Sequence, residues 1–360
     1  MANAVTAKVA SQPAYTQTSQ KRSEAITGYA FMTPAMLILI VFLIIPLLVA
    51  VYFSLTNWNG VRPLTSDNPY QFVGLKNYEN LLISGRRVQD FYVALKNTVY
   101  YVIGVVPTQT IIALLLAVIL NQKWLKGRGF FRTAFYFPSI TSSVVISLIF
   151  VFMFTKGGPV NGLLQGLFPN YTPVTWLDNA DGVLHNLLGL VGITKNTIGA
   201  WGSTQFLNLT LWDWLSGPSV TMLMIMLLAI WTTIGTMMVI YLAALQNIPG
   251  QVFEASQVDG ATTWQTFRYI TLPLLRPTTF FIITIGLIGT FQVFDQVYVV
   301  SKGAPQDTTL TMAYLVYRSA FNTQSPSMGL ASATAIVLFV IIFVFTLLQR
   351  RLTGGDKAET

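Results

Sequence analysis

The 360-residue chain has no cysteine, one histidine and few charges, with Asp, Glu, Lys and Arg together making up 9% of it. Without cysteine it has no disulfide, no thiolate metal site and no cysteine nucleophile. His185 has no second histidine with which to build a common zinc site, so it reads as an ordinary loop residue. No Gly-x-x-x-x-Gly-Lys-[Ser/Thr] run is present to cradle a nucleotide phosphate, and no acid set has a histidine partner. The expectation is a chain with no catalytic residues, bound metal or cofactor of its own, and not an enzyme. The net charge is +8, but no basic run exceeds two residues, which argues against a nucleic-acid surface. A soluble domain carries about 25% charged residues. The shortfall, together with 53% hydrophobic residues, points to a membrane protein.

A helix crossing about 30 Å of hydrocarbon needs about 20 apolar residues. Six segments qualify, at about 29–54, 97–120, 133–154, 219–245, 278–300 and 328–348. Lipid cannot satisfy backbone amides, so each is expected to be helical, giving an all-α integral membrane fold. Pro34, Pro46, Pro107 and Pro138 fall inside the first three and are expected to shape or kink them. Residues 1–28 are polar and lack the apolar core of a signal peptide near the start; they read as a mostly disordered tail.

Loop charges give the expected orientation. With the N-terminus cytoplasmic, the pieces 1–28, 121–132, 246–277 and 349–360 lie inside and hold twelve of the 21 Lys and Arg. Lys123, Lys126, Arg128 and Arg132, and the pair Arg350–Arg351, flank helix ends, where the bias counts most. Both termini are then cytoplasmic. The long stretch 155–218 is external and rich in Trp; it is expected to form short helices on or near the outer surface. Asn170-Tyr171-Thr172 and Asn208-Leu209-Thr210 match a glycosylation pattern by chance.

The cytoplasmic segment 246–277 is the most informative. Pro249 suits a helix start, residues 251–258 a short helix, Gly260 a sharp turn, and 261–271 a second short helix interrupted at Pro273. Small Ala255 and Ser256 would let another surface approach closely, and Glu254 and Asp259 offer charge pairing.

The run Glu254-Ala255-Ser256-x-x-Asp259-Gly260-Ala261, followed by Phe267, Ile270 and Leu272-Pro273, resembles the coupling loop of binding-protein-dependent ABC importer permeases. More narrowly it resembles the carbohydrate-uptake branch, of the maltose, lactose and glycerol-3-phosphate permease type. Phe72-Val73-Gly74-Leu75-Lys76-Asn77-Tyr78, Ala94-Leu95-Lys96-Asn97-Thr98, Gly129-Phe130-Phe131-Arg132-Thr133 with Pro138, and Phe291-Gln292-Val293-Phe294-Asp295 with Gly303-Ala304-Pro305 extend the resemblance over residues 28–350. Ser256 stands where the commonest motif has a second alanine, and 155–218 is longer than usual for the family. The resemblance implies a transport subunit in a prokaryotic plasma membrane, paired with a second homologous permease. It implies two ATPase subunits that bind ATP and Mg, and an external solute-binding protein that delivers a sugar or sugar-like solute. By the same resemblance Glu254, Ala255, Ser256, Asp259 and Gly260 couple to the ATPases.

Candidates for the translocation pathway are Phe291, Gln292, Phe294, Asp295, Gln296 and Tyr298 in or near the fifth span. A carboxylate in hydrocarbon costs at least about 2.5 kcal/mol, so Asp295 faces the bundle interior or water, or else lies near the outer helix end against a partner. Amides and a carboxylate beside aromatic faces suit sugars, although aromatic residues also serve packing. Two other readings stay open: an ion-coupled secondary transporter, and an ABC permease for a non-sugar solute. The first normally holds several buried ionisable groups, and here Asp295 stands almost alone.

Overall fold

The computed structural model describes residues 17–85, 87–122, 124–322 and 325–353. Lys8 and Lys123 lie outside the described residues, as do most of the two tails. The chain divides into two compact units, 1–52 and 53–360.

The first unit is helical. α1 (Gln17–Leu39) passes through a π-helical turn, Ile40–Ile44, into α2 (Ile45–Ser54). Part of the segment expected to be a disordered tail, from Gln17 onward, is therefore helix. The π-turn has a local cause. Pro46 has no N–H, and its ring would collide with the carbonyl four residues back. The turn before it widens so that the Ile45 N–H bonds to the Ile40 carbonyl, five residues back.

In the second unit, α3 (Lys76–Leu82) leads into α4 (Val88–Asn121), a 34-residue helix. α5 (Arg128–Ile140) and α6 (Ser143–Phe154) follow. The sequence predicts one span over 133–154. The chain instead leaves the helix at Thr141, which is extended and three residues beyond Pro138, and at Ser142, with φ −53° and ψ 126°. Short elements fill 155–218: α7 (Pro159–Leu167), α8 (Val183–Leu190), α9 (Lys195–Ser203), a hairpin of β1 (Gln205–Phe206) and β2 (Leu209–Thr210), and α10 (Leu211–Trp214). They are pinned by polar hubs. The buried Asn161 amide donates to the Lys156 and Val174 carbonyls and accepts from Tyr171 and Trp176. The His185 ring stacks 4.0 Å from Trp212, with Nε2 2.9 Å from the Trp212 carbonyl.

Then come α11 (Val220–Gln246), α12 (Gly250–Val258) and α13 (Thr263–Thr266). A second π-turn, Phe267–Thr271, runs into α14 (Leu272–Leu274). Pro273 does not interrupt this helix as its sequence suggests. The π-turn accommodates it just as at Pro46, with the Leu272 N–H bonded to the Phe267 carbonyl. α15 (Arg276–Phe291), α16 (Asp295–Val300), α17 (Met312–Phe321) and α18 (Met328–Thr353) complete the chain.

Six helical stretches among the described residues are long and apolar enough to cross a membrane: Arg22–Ser54, Val88–Asn121, Ser143–Leu167, Val220–Gln246, Arg276–Val300 and Met328–Arg351. α4 is central in the second unit, packed on α11, α15 and α17. Small residues allow this. Ala94, Ala113 and Ala117 of α4 are fully buried, the last two among Met238, Tyr241 and Leu242 of α11. A Cβ on Gly235 of α11 would run into the backbone of α5. The segment between α16 and α17 is tied to α4: Asn97 donates to the Asp307 and Leu310 carbonyls, and Thr98 accepts from the Met312 N–H. Arg318 bridges Asp90 at 3.1 Å and Asp307 at 2.6 Å.

Candidate functional site

Between α4, α11 and the α15–α16 pair lies a cavity of about 320 Å³. Its position follows from a break in the fifth span. α15 ends at Phe291, and residues 292–294 leave helical geometry, with Phe294 at φ −132°, ψ −57°. The helix then restarts at Asp295. Interrupted helices inside a membrane are tolerated where the freed backbone lines protein or a water-filled space, and transporters place their solute sites at such breaks.

The break sorts the six residues expected on the pathway. Gln292, Phe294, Asp295 and Gln296 line the cavity. Phe291 does not. It is 1% exposed and packs into the core, its ring 5.2 Å from Phe345. Tyr298 lies off the cavity, in an aromatic cluster with Phe294 at 5.4 Å and Tyr317 at 5.3 Å, and Lys302 Nζ sits 5.9 Å over its ring. Within this cluster burial raises the Tyr314 phenol above its ordinary pKa, and a hydrogen bond with Tyr298 raises that of Tyr317.

Sequence reasoning missed the other polar half of the cavity wall: Gln109 on α4, Thr233 on α11 and Thr290 on α15. Gln109 is 1% exposed. Its Oε1 accepts from Thr233 Oγ1 at 2.7 Å, while its Nε2 has no partner. Gly286 faces it across the helix interface, where a Cβ would stand 2.7 Å from Nε2. A buried donor without a partner costs about 1–3 kcal/mol, so a group left in this state needs an explanation. A lone amide in an apolar span was the signal that would have found it. Thr233 and Thr290 gave none, because each hydroxyl also lies within reach of a carbonyl of its own helix and so looks ordinary in sequence.

The second candidate region is the connection between α11 and α15. α12 closes in the manner its sequence suggests. Gly260 has φ +73°, and the Ala261 N–H reaches the Ser256 carbonyl at 2.9 Å, the glycine-terminated helix end. Thr262 and Gln265 form a capping box that starts α13. Glu254, Ala255, Asp259 and Gly260 are exposed. Ser256, grouped with them in the sequence, is instead 4% exposed. Its Oγ donates to the Phe253 carbonyl at 2.8 Å and lies 3.3 Å from Thr266 Oγ1, which ties α12 to α13. Four large apolar side chains are exposed on this connection: Val258 at 88%, Trp264 at 68%, Tyr269 at 71% and Leu274 at 50%. Acidic groups beside exposed apolar ones suit protein contact better than solvent.

Residues 109–354 match the family described as binding-protein-dependent transport system inner membrane component. Among curated relatives, the chain is 30% identical to the probable starch degradation products transport system permease AmyD of Thermoanaerobacterium thermosulfurigenes, over 92% of this chain and 95% of that one. It is 30% identical to the lactose transport system permease LacF of Rhizobium radiobacter, over 92% and 96%. It is 32% identical to the arabinooligosaccharides transport system permease AraP of Halalkalibacterium halodurans, over 93% and 90%. Among solved structures, a chain of a bacterial ABC transporter involved in import of the acidic polysaccharide alginate superposes with TM-score 0.68 at 20% identity, covering 96% of this chain and 100% of the other. A chain of a bacterial alginate ABC transporter in complex with a pentasaccharide-bound periplasmic protein gives TM-score 0.68 at 22% identity.

Proposed function

The chain belongs to the binding-protein-dependent transport system inner membrane components, the permease subunits of ABC importers, and on that premise we propose that it moves a sugar or short oligosaccharide through the cavity between α4, α11 and α15–α16. The observation that carries the reading is the polar wall of that cavity. Amides, hydroxyls and one carboxylate converge at an interrupted helix with Phe294 beside them, a set matched to sugar hydroxyls and a partly apolar ring face. The sugars named for AmyD, LacF and AraP support the same class of cargo. The acidic polysaccharide named for the structural neighbours is not carried over, because likeness at that identity speaks to fold.

In this reading the chain pairs with a second permease, and two ATPase subunits bind ATP and Mg below them. Glu254, Ala255, Asp259 and Gly260, with Val258 and Trp264, form the surface that docks on an ATPase, while Ser256 holds that surface in shape. The N- and C-termini and the α11–α15 connection face the cytoplasm, as the basic residues beside helix ends favour. An external binding protein releases solute on the opposite face. ATP binding closes the ATPases, and the coupling helices transmit that movement to the bundle around the cavity. Membership of this family displaces the ion-coupled carrier as a reading.

Glu254→Lys tests the coupling surface. Uptake is expected to vanish while the chain still reaches the membrane and the external protein still binds solute. Normal uptake in this variant would remove the coupling assignment.

A further inference from the structure

The cavity wall contains one full charge. Among the described residues that line it, Asp295 is acidic and none is Lys, Arg or His. Elsewhere in the same wall, Gln109 Nε2 is buried, has no partner and can only donate. Asp295, when ionised, can only accept. Gln292 and Gln296 do both. A hydroxyl, which donates and accepts, satisfies each of these groups. A carboxylate, phosphate or sulfate ester on the solute would satisfy Gln109 but meet Asp295, itself exposed, as a like charge in a partly open, mostly apolar cavity. An ammonium would satisfy Asp295 and set donor against donor at Gln109.

We infer that the part of the solute held in this cavity is uncharged, and that Asp295 turns anionic solutes such as uronates and sugar phosphates away. This rests on the reading of the cavity as the pathway. It adds a substrate class, since a sugar pathway as such is indifferent to charge.

The absence of cysteine makes a direct test possible. Gly289 lines the cavity, and a Cβ built there meets no atom within 4 Å. In Gly289→Cys the new thiol is the only one in this chain. The complete transporter, in native membranes, is treated with three methanethiosulfonates of similar size: trimethylammonium-ethyl, sulfonatoethyl and an uncharged alkyl reagent. Labelling is read on this chain after purification, and each rate is divided by the rate with a free thiol in solution. One-signed clefts raise counter-ion encounter rates by roughly 10-fold or more. The cationic reagent is therefore expected to exceed the anionic one by about tenfold, with the uncharged reagent between them. Asp295→Asn on the same background should bring the ratio close to one. A reactive thiol with equal rates, with a faster anionic reagent, or with a ratio that Asp295→Asn leaves unchanged would overturn the charge filter and leave the pathway reading standing. A thiol that no reagent reaches, in any nucleotide state, would overturn both. Ile285→Cys, on the same wall, repeats the measurement should Gly289→Cys fail to assemble.

Discussion

Gln109 separates stability from transport at a single side chain. Its Nε2 is a buried donor that costs folding free energy, and its Oε1 holds Thr233. Gln109→Leu removes the unpaired donor, and Thr233 Oγ1 keeps the Ala229 carbonyl at 2.8 Å as an acceptor. Thermal stability in detergent is therefore expected to hold or to rise by about 1 kcal/mol, while solute uptake falls by about tenfold, the loss of one hydrogen bond of about 1.4 kcal/mol to the solute. Loss of stability with uptake intact would make Gln109 a packing residue. A second residue-scale prediction concerns Arg318, which two carboxylates share. Arg318→Met should lower stability by about 1 kcal/mol, discounted for partial exposure, and by less in high salt, as a melting series would show. Asp295 was legible in the sequence because a charge in an apolar run is conspicuous. Gln109 was passed over because it stands apart from the fifth span, where Asp295 drew attention to its neighbours Gln292 and Gln296. The separation of Phe291 from Gln292 was also hidden, since it depends on a helix break at 292–294 that no proline or glycine in that stretch marks.

At the scale of elements, the turn that ends α12 is the most sharply specified piece of the chain. Gly260 at φ +73° has open space around it, so a side chain there strains the backbone without a clash. Gly260→Val should cost about 1–2 kcal/mol in this left-handed conformation, whereas Asn is one of the few residues that tolerate it. Uptake at equal membrane abundance should collapse for Gly260→Val and largely survive for Gly260→Asn. Equal loss in both would place the requirement in the glycine surface and not in the turn. Pro249, Gly260 and the acidic pair made this turn readable before any coordinates. The inward placement of Ser256 was not readable, because the same small side chain serves equally well against a partner or between two helices. The π-turns ahead of Pro46 and Pro273 were legible only as irregularities. The sequence places the prolines, but whether a helix ends or widens at each depends on the packing around it.

At the scale of the whole molecule, six apolar stretches among the described residues, a cavity with polar side chains in its mostly apolar wall, and an exposed acidic and apolar surface on the α11–α15 connection make up a permease subunit. Hydrophobic run lengths were enough to number the spans, because lipid leaves the backbone little choice. They could not show that the third span region divides at Thr141 or that the fifth is discontinuous. In the proposed mechanism, movement of solute through this chain is driven by ATP hydrolysed on attached subunits. The most direct test purifies the tagged chain from its native membrane with whatever accompanies it, reconstitutes that material in sealed vesicles, and measures uptake of the solute bound by the co-purified or co-encoded external protein. Uptake should require a second permease, ATPase subunits and ATP, and should persist when ionophores collapse every ion gradient. Uptake by the chain alone, driven by an ion gradient and indifferent to ATP, would contradict the account.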